Sequence, residues 1–317
     1  MIEPTDIGAA PERQLPERHA SARNPRAEAA RRILSHAVLI LVALTMMLPF
    51  FWMVFTSLKP LSEVESGHFL PRVWQVSYER DPRDPERYSR VNNYGEVIAS
   101  KDKNRRIAFG RYYFNSVLIA GWVTLLQVLT SAMAAYAFTR IRWPFREQVF
   151  LLYLATLMIP GVVTLIPNYA LFEKMGMINT YSGLIIPAAF SAFGTFLLRQ
   201  FMLGVPLSLD EAAEIDGGSR WQIFWDVVMP LARPGLIALA IFTFMGSYQS
   251  FFWPLVMIKD EWLRTLPIGL LAFDTSQGRE TQLIMAASVM TMLPLVVLFL
   301  FGQRYFVKGI QLGAVKG

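Results

Sequence analysis

The chain has 317 residues, of which 54% are hydrophobic and 17% charged, with no cysteine and a formal net charge of +6. This composition is typical of an integral membrane protein, and it excludes disulfide and thiol chemistry. No basic run alternates with aromatic residues as nucleic-acid modules require, so we expect no nucleic-acid partner.

The N-terminal residues 1–30 are rich in Pro, Ala, Arg and Glu and have little to bury, which predicts a disordered cytoplasmic tail. Arg31 and Arg32 then precede an apolar run at about 34–55, long enough to cross a bilayer. A secretory signal also places basic residues before an apolar run. Because the tail is long, the run exceeds a signal core and no small-x-small cleavage site follows it, we predict an uncleaved first span.

A long hydrophilic connection, 59–113, follows the first span, with turn residues at 81–85. Its mixed charges are typical of a solvated surface, and a contact with a partner stays open as a second interpretation. We predict an extracytoplasmic insertion here.

Five further apolar runs lie at about 115–138, 149–167, 181–198, 235–258 and 283–301. The sequence therefore predicts an all-α membrane protein of six transmembrane helices, 31–317, with both termini on one side. None of the runs contains Asp, Glu, Lys or Arg. A charge at the membrane centre costs roughly 3 kcal/mol or more and marks ion relays, so its absence argues against an ion-coupled carrier.

Basic residues near the span ends predict the orientation. The totals on the two sides are equal, because the insertion is rich in basic residues, but residues in short loops near spans weigh most. Arginines crowd the chain before the first span and the short loop after the second, which places both termini in the cytoplasm: Arg18, Arg23, Arg26, Arg31, Arg32, Arg140, Arg142 and Arg146.

Prolines fall within or at the ends of several predicted spans. Each removes a helical hydrogen bond and favours a bend or a break. Broken spans are common in transporters, whose helices rock to alternate access, while ordinary kinked packing is an equal alternative. The positions are Pro160, Pro167, Pro187, Pro254 and Pro294.

A polar segment, 203–233, separates the fourth and fifth runs. Ser208 and Glu211 have the three-residue spacing of a capping box, and a second such pair lies at 219–222. Between them, Gly217 and Gly218 supply a left-handed helix stop. The segment is thus predicted to form two short helices joined at a glycine pair.

The second of these helices is predicted to have one apolar face. Trp221, Phe224, Trp225 and Val228 recur at i, i+3, i+4 and i+7, and Pro230 is expected to end the helix. Two short helices with an aromatic face, held at the membrane surface between two spans, have the shape of a docking element.

The sequence contains no phosphate-cradling loop of the type Gly-x-x-x-x-Gly-Lys-Ser/Thr. Its three histidines, His19, His36 and His68, do not cluster with acids at metal-ligand spacing. We therefore predict that the chain is not an enzyme and binds no metal or cofactor. Energy from ATP would have to come from a separate subunit.

The Glu-Ala-Ala of 211–213, the Asp-Gly of 216–217 and the Pro-Leu of 230–231 resemble the signature loop of ABC-importer permease subunits. Within that binding-protein-dependent group, the chain is most similar to the maltose-type carbohydrate permeases. The resemblance runs from about residue 34 to the C-terminus and implies the type I ABC importer permease fold. Other matching segments lie at 92–94, 114–116, 135–138 and 307–317.

This resemblance implies partners. They would be an ATPase subunit dimer that uses ATP and Mg, a second permease subunit, an extracytoplasmic solute-binding protein and membrane lipids. The 260–282 connection would probe the binding protein, with its tip at 274–278, or would be a plain connector. The C-terminal tail would run along the ATPase dimer.

The resemblance also implies roles in the ATPase-coupling loop. Glu211 would face a basic residue of the ATPase, or act as a capping residue, or both. Ala212 and Ala213 would let the helix sit close in the ATPase cleft, and Gly217 would make the bend. Gly218 stands where the family often has alanine, and we expect this change to glycine to be tolerated. The full predicted coupling set is Glu211, Ala212, Ala213, Asp216, Gly217, Trp221 and Pro230.

The predicted substrate path lies in the fifth span, where Tyr248, Gln249 and Ser250 fall near the bilayer midplane. Polar side chains there need partners, either on neighbouring helices or on a ligand. Trp253 can stack on a sugar ring or serve in packing. The family often has Trp-Asn at 248–249, and the change to Tyr-Gln leaves the sugar open.

The sequence thus predicts the permease subunit of an ATP-driven, binding-protein-dependent carbohydrate importer in a bacterial or archaeal plasma (inner) membrane. Alternating access would be driven by the separate ATPase. Two alternatives stay open: the same architecture importing glycerol-phosphate compounds or polyols, and a stand-alone carrier or membrane enzyme. Uptake competition tests the first, and activity without an ATPase tests the second.

Overall fold

The computed structural model describes residues 25–72, 78–81, 84–90, 93–99, 109–275 and 278–314. Internal contacts divide the chain into two units, Met1–Phe51 and Trp52–Gly317. Within the described residues, the first unit is the larger part of one helix, α1 (Pro25–Ser57), whose remaining residues open the second unit.

Helix α1 begins earlier than the sequence predicted. It starts at Pro25, so the predicted disordered tail is wrong for residues 25–30, and residues 1–24 lie outside the described part. Proline is favoured in the first helical turn, and the Ala, Glu and Arg residues that follow are strong helix formers. The helix continues to Ser57, two residues beyond the predicted first span.

The second unit is mainly helical. Its longest described helices are α4, α12 and α15, and the contacts of α4 with α8 and α12, and of α12 with α15, build its core. The helices are α2 (Leu61–Glu65), α3 (Asn93–Ala99), α4 (Phe109–Arg140), α5 (Arg146–Ala155), α6 (Leu165–Lys174), α7 (Tyr181–Ile185), α8 (Ala192–Leu203), α9 (Leu207–Ile215), α10 (Arg220–Gln222), α11 (Met229–Leu231), α12 (Arg233–Tyr248), α13 (Phe252–Met257), α14 (Leu266–Gly269) and α15 (Thr281–Ala314).

Two short hairpins correct the all-α prediction. Strands β1 (Tyr78–Asp81) and β2 (Asp84–Arg90) pair antiparallel, as do β3 (Asp274–Thr275) and β4 (Gly278–Arg279). Each hairpin lies in a connection outside the apolar runs, where strands close in sequence can pair locally.

Three described helices are long and apolar enough to cross a membrane: Arg31–Ser57, Phe109–Arg140 and Thr281–Gln303. Two further helix pairs qualify only together, and each is bent. Tyr181–Ala189 meets Ala192–Leu203 at 41°, and Arg220–Leu231 meets Arg233–Tyr248 at 77°. The described residues therefore contain three spans, or up to five when each bent pair counts as one.

The predicted third span, 149–167, is not one helix. Helix α5 ends at Ala155, a 3-10 turn continues to Met158, and α6 begins at Leu165. Because Pro160 disfavours helical geometry in the residue before it, Ile159 is extended, with φ −81° and ψ 115°. The break follows from this proline.

The predicted fourth and fifth spans, 181–198 and 235–258, are also broken. A 3-10 turn at Pro187–Ala189 separates α7 from α8, and α12 ends at Tyr248 before α13 begins at Phe252. The prolines predict either breaks in the spans or ordinary kinks. At Pro160 and Pro187 the structure has breaks.

Asparagine and tyrosine side chains fix the predicted insertion, 59–113, to the end of α1. Asn93 Nδ2 donates to the carbonyl oxygens of Ser57 and Lys59 at 2.9 and 2.8 Å, and the Tyr94 hydroxyl lies 2.7 Å from Ser57 Oγ. Helix α4 already begins at Phe109, so the last five residues of the predicted insertion, 109–113, belong to this helix.

Candidate functional site

The Glu-Ala-Ala segment lies on helix α9, whose end is closed by Gly217. Gly217 has φ +83°, its N–H donates to Glu214 O at 3.0 Å, and the Gly218 N–H donates to Ala213 O at 2.8 Å. This pair of bonds is the Schellman arrangement, which needs a left-handed residue where glycine has no steric penalty. The left-handed helix stop predicted at the glycine pair is therefore present.

Gly218 takes part in this closure through its missing side chain. A Cβ added there would lie 2.8 Å from the Ala213 carbonyl oxygen, a backbone atom, so an alanine would require the turn to shift. Asp216 is the C-cap residue of α9, and its N–H donates to Ala212 O at 3.0 Å.

One of the two predicted capping boxes is present. Ser219 Oγ accepts from the Gln222 N–H at 3.3 Å, and Gln222 Oε1 accepts from the Ser219 N–H at 2.8 Å, which confirms the second box. The first is wrong, because α9 begins at Leu207 behind Pro206, with no side-chain cap, and Ser208 lies inside the helix. Pro206, whose φ is fixed, occupies the N-cap position, so the helix starts two residues earlier than predicted.

Consequently Glu211 has no capping role. Its side chain and that of Ala212 are exposed, and Glu211 forms no hydrogen bond or ion pair with another described residue. Ala213, on the opposite side of α9, is half-buried against the apolar cluster formed by α4, α8 and a π-helical segment, Ile223–Val228. Helix α9 thus presents the Glu211 carboxylate and the Ala212 side chain outward, beside the exposed Glu214, which pairs with Arg220, and rests on the bundle with its other side.

A buried ion pair lies under α9. Arg140, at the end of α4, places Nε 3.4 Å from Asp210 Oδ2, and both side chains are almost fully buried. The Arg140 guanidinium also donates to the carbonyl oxygens of Met202 and Val205 at 3.0 and 2.8 Å. One side chain therefore connects α4, the end of α8 and α9.

Burial raises the pKa of the Asp210 carboxyl above its ordinary value, and the positive charge of Arg140 opposes that shift. Among the described residues, Asp210 Oδ1 has no hydrogen-bond partner. The buried carboxylate is thus only partly satisfied by its hydrogen bonds and by Arg140.

The helix predicted to end at Pro230 instead continues through it. A π-helical segment, Ile223–Val228, precedes α11, and the Met229 N–H donates to Phe224 O, five residues back. Proline lacks the N–H for the bond to the carbonyl four residues back, and its ring would clash there; the wider π turn removes that conflict. Pro230 is exposed, and the 77° bend follows only after Leu231.

The predicted apolar face of this segment divides into two parts. Phe224 and Val228 are fully buried, and the Phe224 ring lies 5.2 Å from that of Tyr136 on α4. Trp221 is 59% exposed and Trp225 40% exposed, with ring centroids 5.8 Å apart. A pair of indoles therefore stands beside α9 on the exposed surface of the predicted docking element.

A second candidate site is a cavity of about 340 Å³ in the second unit. It lies where α4, α7 and α12 meet the break between α12 and α13. Its lining residues are Ser116, Ile119, Val123, Gln127, Leu184, Ala188, Thr243, Gly246, Ser247, Ser250, Trp253, Pro254 and Thr265.

Two of the four predicted substrate-path residues line this cavity, and two do not. Ser250 and Trp253 line the cavity. Tyr248 does not, because its ring is buried in another cluster, stacked on Phe244 at 5.8 Å, and its hydroxyl donates to Thr291 O at 3.2 Å. Gln249 is exposed beside the break and is not part of the lining.

The sequence analysis missed several residues of this cavity. Gln127 on α4 donates through Nε2 to Thr243 Oγ1 on α12 at 2.9 Å, and Thr265 comes from the connection after α13. Gln127 is the one glutamine in the apolar run 115–138, which is the signal that could have identified it. In the part of the chain that is described, no group of three or more His, Asp or Glu side chains is placed to hold a metal ion.

Comparison with known proteins agrees with the family resemblance of the sequence. The family described as "Binding-protein-dependent transport system inner membrane component" matches residues 127–312. The chain is 40% identical over 206 residues to the arabinooligosaccharides transport system permease protein AraQ of Halalkalibacterium halodurans, covering 65% of this chain and 74% of that protein. It is 36% identical over 209 residues to the sn-glycerol-3-phosphate transport system permease protein UgpE of Yersinia enterocolitica, with the same coverage, 65% and 74%.

Among solved structures, the fold is similar to a chain of a bacterial ABC transporter involved in the import of the acidic polysaccharide alginate. The TM-score is 0.74 at 21% sequence identity, over 89% of this chain and 99% of that chain. The prediction of a type I ABC permease-like fold is therefore confirmed at the level of the fold, as is the family resemblance. This multi-pass chain belongs to the family of binding-protein-dependent transport system inner membrane components.

Proposed function

We propose that this chain is the permease subunit of an ATP-driven, binding-protein-dependent importer of carbohydrate, and that it is not itself an enzyme. The observation that carries the proposal is the exposed Glu-Ala-Ala helix, α9, closed by Gly217 and anchored to α4 by the Arg140–Asp210 pair. An exposed short helix that rests rigidly on a long span is suited to transmit motion from a soluble partner into the membrane.

The partners in this proposal are an ATPase dimer that uses ATP and Mg, a second permease subunit and an extracytoplasmic solute-binding protein. Glu211 would meet a basic group of the ATPase, and the Trp221–Trp225 pair would pack beside it. Six spans in an inner membrane, with α5 and α6 together as a broken third span, would place both termini in the cytoplasm. Relatives named for arabinooligosaccharide transport support the carbohydrate class.

The mechanism follows from how α4 is placed. ATP closes the ATPase dimer, and this closure moves α9. The buried Arg140–Asp210 pair passes that motion to the end of α4. Further along its length, α4 lines the cavity with Gln127. A rigid helix with one end at the coupling loop and its middle at the cavity links the two sites directly. Alternating access would be the result.

A second candidate cargo is a glycerol-phosphate compound or a polyol, moved by the same architecture. It is supported by the similarity to a relative named for sn-glycerol-3-phosphate transport. A glycerol-phosphate compound is anionic, whereas a simple sugar is neutral, so the two cargoes differ in charge.

Glu211→Lys is expected to reduce co-elution of the ATPase subunit with this chain at least about tenfold, because a lysine would repel the basic group that the carboxylate attracts. The measurement is quantitative mass spectrometry of the complex purified in mild detergent. Glu173→Lys on α6, also at an exposed position, is the matched control and should co-elute the ATPase normally. Undiminished ATPase in the Glu211→Lys sample would contradict the docking role of α9.

A further inference from the structure

The wall of the cavity contains a buried hydroxyl without a partner. Thr265 is 4% exposed and lines the cavity, and its Oγ1 has no hydrogen-bond partner among the residues that the structure describes. A buried unsatisfied hydroxyl is costly, so a bonding partner supplied from the cavity would remove that cost. A solute hydroxyl in the cavity would be such a partner.

Further hydroxyls lie on the same wall. Ser116 Oγ accepts from the Leu266 N–H at 2.7 Å, so its own hydrogen is available to an acceptor in the cavity. Thr243 Oγ1 accepts from Gln127 Nε2 at 2.9 Å and in the same way keeps its hydrogen to donate. Hydroxyl side chains that both donate and accept suit a solute that also carries hydroxyls.

Trp253 supplies a fixed aromatic ring. Its Nε1 donates to Gly183 O at 3.2 Å, and the ring packs edge-on to Phe172 at 5.8 Å between centroids. These two contacts hold the indole against the cavity, so little side-chain entropy is lost when a ligand packs on it. The electron-rich face of an indole is complementary to the C–H groups on one side of a sugar ring.

None of the described residues that line the cavity is Asp, Glu, Lys, Arg or His. A phosphate or carboxylate brought into this site would lose its hydration without gaining an opposite charge, which is strongly unfavourable. A neutral polyol surface, in contrast, can exchange its water for the hydroxyls and the amide of the wall. The cavity volume of about 340 Å³ lies at the lower end of the range for small-molecule sites.

We infer that this cavity is a binding subsite for one neutral, hydroxyl-rich unit of the transported solute, held by Thr265, the Gln127–Thr243 pair and Trp253, and that it rejects anionic solutes. The inference rests on the proposed import function. It places part of the solute recognition in this chain and favours a neutral saccharide over the glycerol-phosphate alternative.

Gly246 offers a way to fill the cavity without disturbing the fold. It lies on α12 in the cavity lining, and a Cβ added there meets nothing within 4 Å. Gly246→Leu should lower uptake of a neutral sugar at least about tenfold by occupying the space. Gly121→Leu on α4 is the matched control, since Gly121 is also helical, has nothing within 4 Å of a Cβ and is not part of the lining.

Thr265→Val tests the hydroxyl itself. Because Oγ1 has no partner in the described part of the chain, the change should leave thermal stability equal or higher, while the KM for a neutral sugar rises about three- to tenfold. A merely structural threonine would show the reverse, a loss of stability with KM unchanged.

The measurement is ATP-dependent uptake by cells that carry each variant, with the amount of assembled complex determined in parallel. The probes are radiolabelled arabinotriose, glycerol 3-phosphate and an alginate trisaccharide. Uptake of arabinotriose but of neither anion, reduced by Thr265→Val and by Gly246→Leu, is the expected result.

Two results would overturn the inference while leaving import itself intact: uptake of the anions in place of arabinotriose, or wild-type KM in Thr265→Val. If Gly246→Leu does not assemble, Thr265→Val decides the question. ATP-dependent uptake of none of the three probes by the wild-type complex would instead overturn the proposed carbohydrate import.

Discussion

Gly217→Val abolishes ATP-driven uptake while the chain still inserts into the membrane at wild-type level; this is the largest effect that we expect from a single substitution. Gly217 has φ +83°, and the left-handed conformation costs an L residue about 1–2 kcal/mol, more when it is β-branched. Because α9 is a short exposed helix closed by the Schellman bonds of 217 and 218, this strain is expected to unwind its last turn. The measurement is solute uptake together with the amount of chain in purified membranes.

The control is Gly217→Asn. No atom lies within 4 Å of a Cβ at this position, so the two substitutions differ in backbone preference and not in steric contact with the surroundings. Asparagine tolerates the left-handed region, and Gly217→Asn should keep most of the uptake. Equal activity of the valine and asparagine variants would show that the turn geometry does not matter for coupling.

Arg140→Met is expected to uncouple ATP hydrolysis from transport. The substitution leaves Asp210 buried without its cation and removes the donors to Met202 O and Val205 O. Breaking a buried ion pair by removing one partner typically costs about 3–5 kcal/mol. Such a loss should release α9 from α4, so that solute no longer stimulates ATPase activity in the reconstituted complex.

Asp210→Asn should have a smaller effect, because burial raises the pKa of this carboxyl and so makes its charged form less favourable here than in water. Combining Arg140→Met with Asp210→Leu should recover stability without full coupling, since apolar replacements of a buried pair are often neutral. Arg142→Met, at an exposed position in the same loop, is the control. Wild-type coupling in Arg140→Met would remove the pair from the mechanism.

Features that depend on a few neighbouring residues were predictable from the sequence. The capping box at 219–222 and the left-handed turn at Gly217 are local, and both are present. The capping box at Ser208 failed because Pro206 starts the helix earlier. The end predicted at Pro230 failed because a π turn accommodates the proline without ending the helix. Local signals therefore predicted that helices form here, but not always where they begin and end.

Features that join distant parts of the chain were not predictable. Arg140 was used only as evidence for orientation, and Asp210 was not singled out, because their pairing depends on how α4 packs under α9. The cavity draws on several helices, so Gln127 and Thr265 could not be connected from sequence spacing. Tyr248 was placed with Ser250, but the helix ends between them and the tyrosine ring packs in a different cluster.

Purification of the tagged wild-type chain from its own membranes in mild detergent, followed by mass spectrometry of the stoichiometric components, tests the central claim most directly. The account predicts an ATPase subunit in two copies and one different multi-span permease in the same complex. Recovery of the chain alone or as a homo-oligomer that still moves solute in liposomes without ATP would contradict it.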